Sequence, residues 1–258
     1  MPETRIIAVA NQKGGVGKTT TAINLGAALA ERNQRVVIVD LDPQGNASTG
    51  LGVPLEERET TSYDLLAGDQ LLSQALRDTD IPNLQIVPSN RDLASADFEL
   101  SSRPGRTQLL RKKLGNQSDY DYILIDCPPA LGLLTINAMV AADSVLVPLQ
   151  AEFYALEGLS QLLMTVREVR QTANPNLRIE GVLLTMSDSR NNLSQQVEAD
   201  VRKTLSGLVY NTVIPRNVRL SEAPSHAMPV MQYDPNSKGS AAYRELAKEF
   251  LSRQLAAA

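Results

Sequence analysis

The sequence predicts an α/β fold built on a doubly wound, mostly parallel sheet with helices on both faces. Continuous apolar runs rich in β-branched residues recur along the chain, which is typical of strands buried on both faces. Between these runs lie segments whose apolar residues follow helical spacing. Because strands and helices alternate, parallel pairing through crossover helices is favoured.

Each element has its own pattern. The first helix is predicted after the first strand, because Ile23, Ala27 and Ala30 fall on one face. A later helix is predicted around residues 159–166, where three leucines and a valine share a face. Five runs are clear strand candidates and two are weaker: residues 5–10, 35–40, 122–126, 144–149 and 180–185, with 84–88 and 208–214 as the weaker pair.

Length and composition favour one globular domain over residues 1–258. The chain is 43% hydrophobic and 21% charged, and no internal repeat, low-complexity tract or long linker divides it. The apolar runs are far shorter than the roughly 20 residues of a membrane span, and "MPETR" lacks the apolar stretch of a signal peptide. We therefore expect a cytoplasmic protein without a membrane partner.

Charge and cysteine content exclude several other classes. The net charge of −4 argues against a generally basic nucleic-acid binder, but residues 1–150 carry −5 and residues 151–258 carry +1. Contacts with a polyanion are thus expected in the second half. A single cysteine, Cys127, excludes an intramolecular disulfide, and we expect it to be a small buried side chain.

Three polar segments follow predicted strands: "NQKGGVGKT" at 11–19, "DLDPQGN" at 40–46 and "DCPPALG" at 126–132. In a parallel sheet, ligands bind at the carboxyl ends of the strands, so these segments are expected to converge on one site. The first nearly matches the phosphate-binding pattern G-x-x-x-x-G-K-[ST]. It has Gln12 where the first glycine belongs, followed by a second lysine, Lys13.

The glycine-rich segment has the chemistry of a phosphate site. Gly14, Gly15 and Gly17 allow successive amides to point at phosphate oxygens, and the following helix adds its positive dipole end. Lys18 would then reach the terminal phosphates, and the Thr19 hydroxyl would bind Mg²⁺. The alternative is a chance match, since glycine-rich turns are common.

The other two segments supply carboxylates. Asp126 ends a predicted strand, where it would lie beside Mg²⁺; its alternative role is to cap the next helix. Asp40 and Asp42 leave another strand on alternate residues, so both point to the same side of an extended chain. Asp40 would support the metal, and Asp42 would orient a water toward the γ-phosphate. The alternative for Asp42 is a turn before Pro43.

Taken together, "KGGVGKTT", "DLDPQGN" and "ILIDCPP" resemble the deviant Walker A ATPases. Three further stretches, "PQGNASTGLG", "LTMSDSRNNLSQQV" and "IPRNVRLSEAPSHAMPVMQYDPNSKGSAAY", resemble the ParA/Soj chromosome-partitioning branch. The resemblance extends from residue 6 to residue 243. It implies a P-loop NTPase fold and a Mg²⁺-dependent ATPase activity.

The resemblance also implies roles for particular residues. Lys13 would cross the interface of a nucleotide-sandwich homodimer to phosphates held by the partner, although a solvent-facing lysine is the plain alternative. With Asp42, the lysines Lys13 and Lys18 would be the catalytic residues, while Thr19, Asp40 and Asp126 would serve the metal. The implied ATP contacts are Lys13, Gly14, Gly15, Gly17, Lys18, Thr19 and Thr20 at the phosphates and Met186, Pro215 and Asn217 at the adenine.

Two weaker assignments follow. Gln44, Asn46 and Ser48 resemble a nucleotide-sensing switch, although a polar loop is their simplest interpretation. Glu152 would contact a ribose across the dimer. The lone histidine, His226, is interpreted as a surface loop residue without a catalytic role.

The function implied by the resemblance is DNA segregation. The ATP-bound homodimer would bind double-stranded DNA without sequence preference on the nucleoid, and a ParB/Spo0J-type partner would stimulate hydrolysis and release. Arg190 and Arg219 match DNA-contacting positions of the branch and are preferred over Arg202, Lys203 and Arg216.

Two other functions stay open. A metabolic P-loop enzyme, such as a kinase or ATP-dependent ligase, would need a second substrate site. A membrane-cycling ATPase would need a basic amphipathic C-terminal helix with large apolar residues. The C-terminal run "RELAKEFLSRQLAAA" contains Glu245 and Glu249 and ends in alanines, so it is expected to be a packing helix.

Overall fold

A computed structural model describes residues 4–115, 118–152, 155–188 and 190–257. Within these ranges the chain forms a seven-stranded sheet with the order β3-β4-β2-β5-β1-β6-β7. All strands pair in parallel except β3, which is antiparallel to β4. The strands are β1 Arg5–Val9, β2 Val36–Asp40, β3 Arg77–Asp78, β4 Leu84–Val87, β5 Tyr122–Asp126, β6 Ser144–Gln150 and β7 Arg178–Thr185.

Helices fill the connections between these strands. Short 3-10 turns lie at 55–57, 91–95, 106–108 and 223–226. The helices are α1 Lys18–Ala30, α2 Asn46–Gly50, α3 Ser62–Ala67, α4 Leu72–Ala75, α5 Ala96–Glu99, α6 Leu109–Leu114, α7 Leu133–Ala141, α8 Ala155–Thr172, α9 Asn192–Thr204, α10 Val218–Glu222, α11 Val230–Tyr233 and α12 Lys238–Ala257. The doubly wound α/β fold predicted from the sequence is confirmed.

The sheet separates two apolar layers, because side chains along each strand alternate between its faces. On β2, for example, Val37 and Val39 face one layer while Val36 and Ile38 face the other. Helices α3, α6, α7 and α8 cover the first face, and α1, α11 and α12 cover the second. Both faces are buried, which explains why the strands are apolar without interruption.

One strand prediction was wrong and one strand was not predicted. Residues 208–214 do not form a strand; the segment makes an isolated parallel bridge at Val209 with Val182 on β7 and a further backbone hydrogen bond from Ile214 to Leu184. The antiparallel β3 was not predicted, because two polar residues, Arg77 and Asp78, carry no strand periodicity. The weaker candidate at 84–88 is confirmed as β4.

The strand register sets up the site. Strand β5 lies between β1 and β2, with Asp126 opposite Val9 on one side and opposite Asp40 on the other. The three strands therefore end at the same level of the sheet. Their following loops carry the glycine-rich segment and both aspartate segments, which the sequence predicted to converge.

The C-terminal helix α12 packs against the second face of the sheet, as predicted. Tyr243, Leu246 and Phe250 are buried there, and the Phe250 ring lies 5.3 Å from the Tyr122 ring in an edge-to-face contact. No helix in the described part of the chain is both long and apolar enough to cross a membrane.

Replacing Phe250 by alanine should destabilise the protein by about 3–5 kcal/mol, since it empties a buried, fully packed aromatic site. Urea unfolding measures the loss. Leu255→Ala on the same helix is the matched control, because Leu255 is 83% exposed and its truncation should leave the unfolding midpoint nearly unchanged. Equal effects of the two substitutions would contradict the packing role of α12.

Candidate functional site

The glycine-rich loop joins β1 to α1 and is built to present its amides inward. Gly15 and Gly17 adopt left-handed backbone angles, with φ of 74° and 87°. A side chain at either position would be strained. Gly17 directly precedes α1, whose first turn carries no side-chain cap. The free amides of this turn are therefore left for an external acceptor.

Neighbouring strands hold this loop in place. The Asn11 side chain accepts a hydrogen bond from the Lys13 amide at 3.0 Å and donates to the Pro148 carbonyl on β6 at 2.7 Å. The Thr185 hydroxyl at the end of β7 donates to the Val16 carbonyl at 2.8 Å. The loop shape is thus fixed before any ligand enters.

Lys18 begins α1 and its side chain is buried inside the loop. Its ammonium group donates to the Lys13 carbonyl at 2.9 Å. Burial lowers the pKa of Lys18, while the charges of Asp126, Cys127 and Asp42 act in the opposite direction. A buried ammonium with a single carbonyl acceptor has donors left for phosphate oxygens.

Two fully buried carboxylates lie side by side behind the loop. Burial is the largest cause that raises the pKa of Asp126 well above its usual range, and the neighbouring charge of Asp40 adds to it. Neither oxygen of Asp126 meets a hydrogen-bond donor of ordinary length among the described residues. It therefore does not cap a helix by a hydrogen bond, which was the alternative to a metal role. The Thr19 hydroxyl is near enough to lower the pKa of Asp126, so the two groups that the sequence assigned to the metal lie together.

Asp40 differs from Asp126 because its oxygens already have partners. One oxygen accepts from the amide and hydroxyl of Ser48 at 2.9 and 2.7 Å, and the other accepts from the Asp42 amide at 3.1 Å. Burial raises the pKa of Asp40 to about 6, and these hydrogen bonds oppose the rise. The side chain holds the start of the 42–50 segment, and its service to a metal stays a prediction.

Asp42 lies at the mouth of the site, in a turn. Its Oδ1 accepts from the Gln44 amide at 3.0 Å, so the turn expected as the alternative is present. One oxygen is enough for this turn, which leaves Oδ2 for another partner. The turn and a role in positioning water are therefore compatible.

Two cavities meet over the loop. One, of about 350 Å³, is lined by the loop glycines, Lys18, Thr19 and Thr20, together with Asp42, Gln44 and Asn46. The other, of about 410 Å³, contains the predicted adenine residues Met186, Pro215 and Asn217. Gly17, Thr20 and Met186 line both cavities. An elongated ligand can extend from one to the other.

Met186 carries backbone strain at this junction. Its φ of 52° is left-handed, which is rare for an unbranched bulky residue. The conformation places Met186 at a third cavity as well, one lined by Glu152, Asp188 and Arg216. Strain is typical of functional sites, so this outlier supports the prediction that Met186 contacts a ligand.

The second cavity contains several residues that the sequence did not single out. Val218, Ser221 and the buried Tyr243 line it, and the Tyr243 hydroxyl lies 3.2 Å from that of Thr21. Asn217 caps α10 by accepting from the Arg219 amide at 2.8 Å. Val218 and Ser221 lie on α10, directly after the predicted Asn217, whereas Tyr243 comes from α12 and reaches the cavity only through the packing of that helix.

Lys13 forms an ion pair within its own subunit and does not extend freely into solvent. Its ammonium group is paired with the Glu152 carboxylate, and both side chains are partly exposed. Gly14, beside it, has open space where a side chain would go. The loop surface at these two residues is therefore accessible to another molecule, and Lys13 has an internal partner that such a molecule would have to replace.

The residues present fit a magnesium nucleotide. The loop amides and Lys18 suit phosphate oxygens, the largely apolar cavity suits a base, and the buried carboxyl of Asp126, beside Thr19, suits a metal with its water. Among the described residues, no group of three or more His, Cys, Asp or Glu side chains could hold a metal alone. Mg²⁺ commonly takes one or two carboxylates and completes its shell with phosphate and water.

The two arginines predicted to contact DNA are both engaged in ion pairs. Arg190 forms a two-point contact with Asp188, at 3.0 and 2.9 Å, which lowers the pKa of Asp188 to about 2. Arg219 contacts Glu222 at 2.8 Å and Asp234 at 3.2 Å. Both arginines stay exposed, 87% and 50% respectively. Of the other cations in this region, Arg202 pairs with Glu198.

The sequence is similar to those of known proteins over nearly its whole length. The AAA domain family matches residues 4–179. The chain is 53% identical to the chromosome partitioning protein ParA of Caulobacter vibrioides over 253 residues, which is 97% of this chain and 95% of the relative. It is 54% identical to the sporulation initiation inhibitor protein Soj of Bacillus subtilis over 95% of this chain and 97% of the relative.

A solved structure agrees in fold. It is a Mycobacterium smegmatis protein named cobyrinic acid a,c-diamide synthase, with bound ADP and magnesium. The identity is 41%, the TM-score is 0.87, and the match covers 99% of this chain and 97% of that one. The same protein has been solved with an ATP analogue and magnesium. Nucleotide and metal thus accompany this fold in a relative of the same length.

Proposed function

Because the chain belongs to the ParA/Soj family of chromosome-partitioning ATPases, we propose that it is an ATP-dependent dimerisation switch for DNA segregation. ATP and Mg²⁺ are its nucleotide and metal. The observation that carries the proposal is the position of Lys13, an accessible lysine on the phosphate loop that is held by Glu152 rather than by the loop itself. A lysine placed there is available to a second subunit.

Nucleotide binding is assigned to the loop and the two cavities. The backbone amides of the loop around Gly14, Gly15 and Gly17 would bind the phosphates together with Lys18. The metal would be held by Thr19, Asp126 and Asp40. Mg²⁺, when bound, offsets the charge of the β- and γ-phosphate oxygens. Met186, Pro215 and Asn217 would enclose the adenine.

Hydrolysis is assigned to Asp42 in the mouth of the phosphate cavity. A carboxylate there would orient a water and accept its proton, provided that the turn with Gln44 keeps it in place. Lys18 and the partner's lysine would stabilise the charge that develops on the phosphates.

Closure of two subunits would create the DNA surface. Arg190 and Arg219 on both subunits would contact phosphates of double-stranded DNA without reading its sequence. Two weak surfaces on one dimer bind far more tightly than one, so ATP-dependent dimerisation would control DNA binding. A ParB/Spo0J-type protein would stimulate hydrolysis and release the dimer from the nucleoid.

A biosynthetic ligase is the second candidate, supported by the name of the Mycobacterium relative. ATP turnover separates the two functions. A partitioning ATPase should be stimulated by DNA together with a centromere-binding partner, and a diamide synthase by cobyrinic acid and an amide donor. Cys127, the sole cysteine, is fully buried, and burial raises the pKa of its thiol. It is therefore not suited to act as a nucleophile on an amide donor such as glutamine.

Lys13→Ala should abolish the ATP-bound dimer and leave nucleotide binding measurable, since Lys18 and the loop amides remain. Size exclusion and light scattering with a non-hydrolysable ATP analogue test this. Glu152→Gln is the informative companion, because it removes the internal partner of Lys13 and should not prevent dimerisation. A Lys13→Ala protein that dimerised normally would remove the cross-subunit role.

Asp42→Ala should bind ATP and dimerise but hydrolyse ATP roughly 10²–10⁴-fold more slowly, as expected for loss of a positioned base. Asp42→Asn is the control for the structural role of the turn. Its side-chain amide oxygen can still accept the hydrogen bond from the Gln44 amide, while the negative charge is lost. Phosphate release in single-turnover assays gives the rates. Slow Asp42→Ala with near-normal Asp42→Asn would assign the residue to the turn alone.

Arg190→Glu and Arg219→Glu should each weaken binding to DNA of any sequence, with ATP-dependent dimerisation intact. Each lost phosphate contact should also reduce the slope of log affinity against log salt by roughly 0.9. Arg32→Glu, an equal charge change at an exposed residue just after α1, is the control. An arginine whose reversal left affinity and salt slope unchanged would have to be withdrawn from the DNA surface.

A further inference from the structure

Arg58 is a buried arginine that none of the site assignments uses. It follows the short 3-10 turn Leu55–Glu57, and its side chain extends beneath α2. Only 8% of the residue is exposed. Arginine is almost never buried to this degree without a carboxylate partner. No ion pair of Arg58 is found in the described part of the chain, so its place needs another explanation.

The guanidinium is held by hydrogen bonds to three separate points of the chain. Nε and Nη2 donate to the Val53 carbonyl at 3.0 and 2.7 Å, and Nη2 also donates to the Thr49 hydroxyl at 2.8 Å. Nη1 donates to the Ser89 carbonyl, after β4, at 2.9 Å. The planar fork thus ties α2 and the turn after it to the end of a core strand.

Contact between Arg58 and the segment after β2 is close. Gly45 has a left-handed φ of 63°. A Cβ atom added to it would lie 2.3 Å from Nη1 of Arg58 and 3.0 Å from the Ser89 carbonyl oxygen, which is too close for either contact. Glycine is thus required at position 45 both for its backbone angle and for this approach. The "PQGN" sequence and Arg58 are parts of one packing arrangement.

Ser89 connects Arg58 to the segment that contains Asp42. Its hydroxyl donates to the Asp42 carbonyl at 2.8 Å, and its amide donates to the Ser48 hydroxyl at 2.9 Å. The Ser48 hydroxyl in turn donates to Asp40 at 2.7 Å. A short chain of hydrogen bonds therefore runs from Arg58 through Ser89 to the backbone of Asp42.

The energetics point to positioning rather than stability. A desolvated guanidinium is costly, and an apolar side chain of similar volume is often neutral or stabilising at such a place. Burial lowers the pKa of Arg58, while the charges of Asp40 and Glu56 oppose that change. What an apolar residue cannot supply is a rigid set of donors that fixes three chain segments relative to one another.

We propose that Arg58 is a positioning residue for ATP hydrolysis, which holds the 42–53 segment so that Asp42 keeps its place over the phosphate cavity. The proposal rests on the proposed function, in which Asp42 orients the attacking water. Loss of the fork would let Asp42 drift, and misplacement by about 1 Å can lower a rate by about 100-fold. ATP binding, which depends on the loop and Lys18, would be preserved.

The test compares Arg58→Lys with wild type, because lysine retains the charge and lacks the planar fork. We expect a roughly 10- to 100-fold fall in kcat with KM for ATP changed by less than about threefold. Arg244→Met is the control: Arg244 also makes several hydrogen bonds, to Glu31 and the Pro235 carbonyl, and neither acceptor lines the two cavities over the loop, so kcat should be unchanged.

A double-mutant cycle separates positioning from general destabilisation. In an Asp42→Ala background, Arg58→Lys should lower kcat no further, since the group that it positions is already absent. Ser89→Ala removes only the hydroxyl link to Asp42 and should lower kcat in the same direction. It keeps the proposal testable if Arg58→Lys folds poorly.

The outcomes are distinct. Equal losses of kcat from Arg58→Lys with and without Asp42 would overturn the proposal while the role of Asp42 stands. Normal kcat in both Arg58→Lys and Ser89→Ala would overturn it as well. Normal turnover in Asp42→Ala alone would instead refute the proposed catalytic role of Asp42, and the positioning role would fall with it.

Discussion

The structure depends on a cluster of buried charges at the carboxyl ends of β2 and β5. Parallel pairing places Asp40 and Asp126 opposite each other, both fully buried, with the Lys18 ammonium close enough to affect the pKa of Asp126. Burial is the largest cause that raises the pKa of each carboxyl, and the charge of a neighbouring aspartate adds to it: Asp42 for Asp40, and Asp40 for Asp126. In the proposed site, Mg²⁺ held beside Asp126 and Asp40 would offset this concentration of negative charge.

Both lysines of the loop have internal acceptors. Lys18 donates to the Lys13 carbonyl, and Lys13 pairs with Glu152. Each contact is weaker than a lysine–phosphate contact, because the first acceptor is neutral and the second pair is partly exposed to water. In the proposed function, both lysines would exchange these acceptors for phosphate oxygens. The exchange at Lys13 would also free Glu152, which lies at the cavity shared with Met186 and Arg216.

Sequence reasoning recovered the parts that local pattern determines. The apolar runs gave the parallel strands, and the spacing of Gly15, Gly17 and Lys18 located the loop that the structure shows. What it missed arises from packing between distant segments. Thr185 and Tyr243 reach the loop and the base cavity only because β7 and α12 return to them, and Arg58 looks like an ordinary surface arginine until its burial is known. The segment at 208–214 has strand composition, but its pairing with β7 is limited to an isolated bridge and one further backbone hydrogen bond, which is too little for a strand.

Ion pairing of the predicted DNA arginines bears on how binding is switched. In one subunit Arg190 lies on Asp188, and Arg219 lies between Glu222 and Asp234, so a phosphate must compete with carboxylates that are already in place. In the proposed function, this competition would lower the DNA affinity of a single subunit below that of a free cationic surface. It would not alter the gain from joining two subunits, because the second surface would bind at the effective concentration set by the first. The local carboxylates would thus keep the monomer weak and leave dimer closure as the step that controls DNA binding.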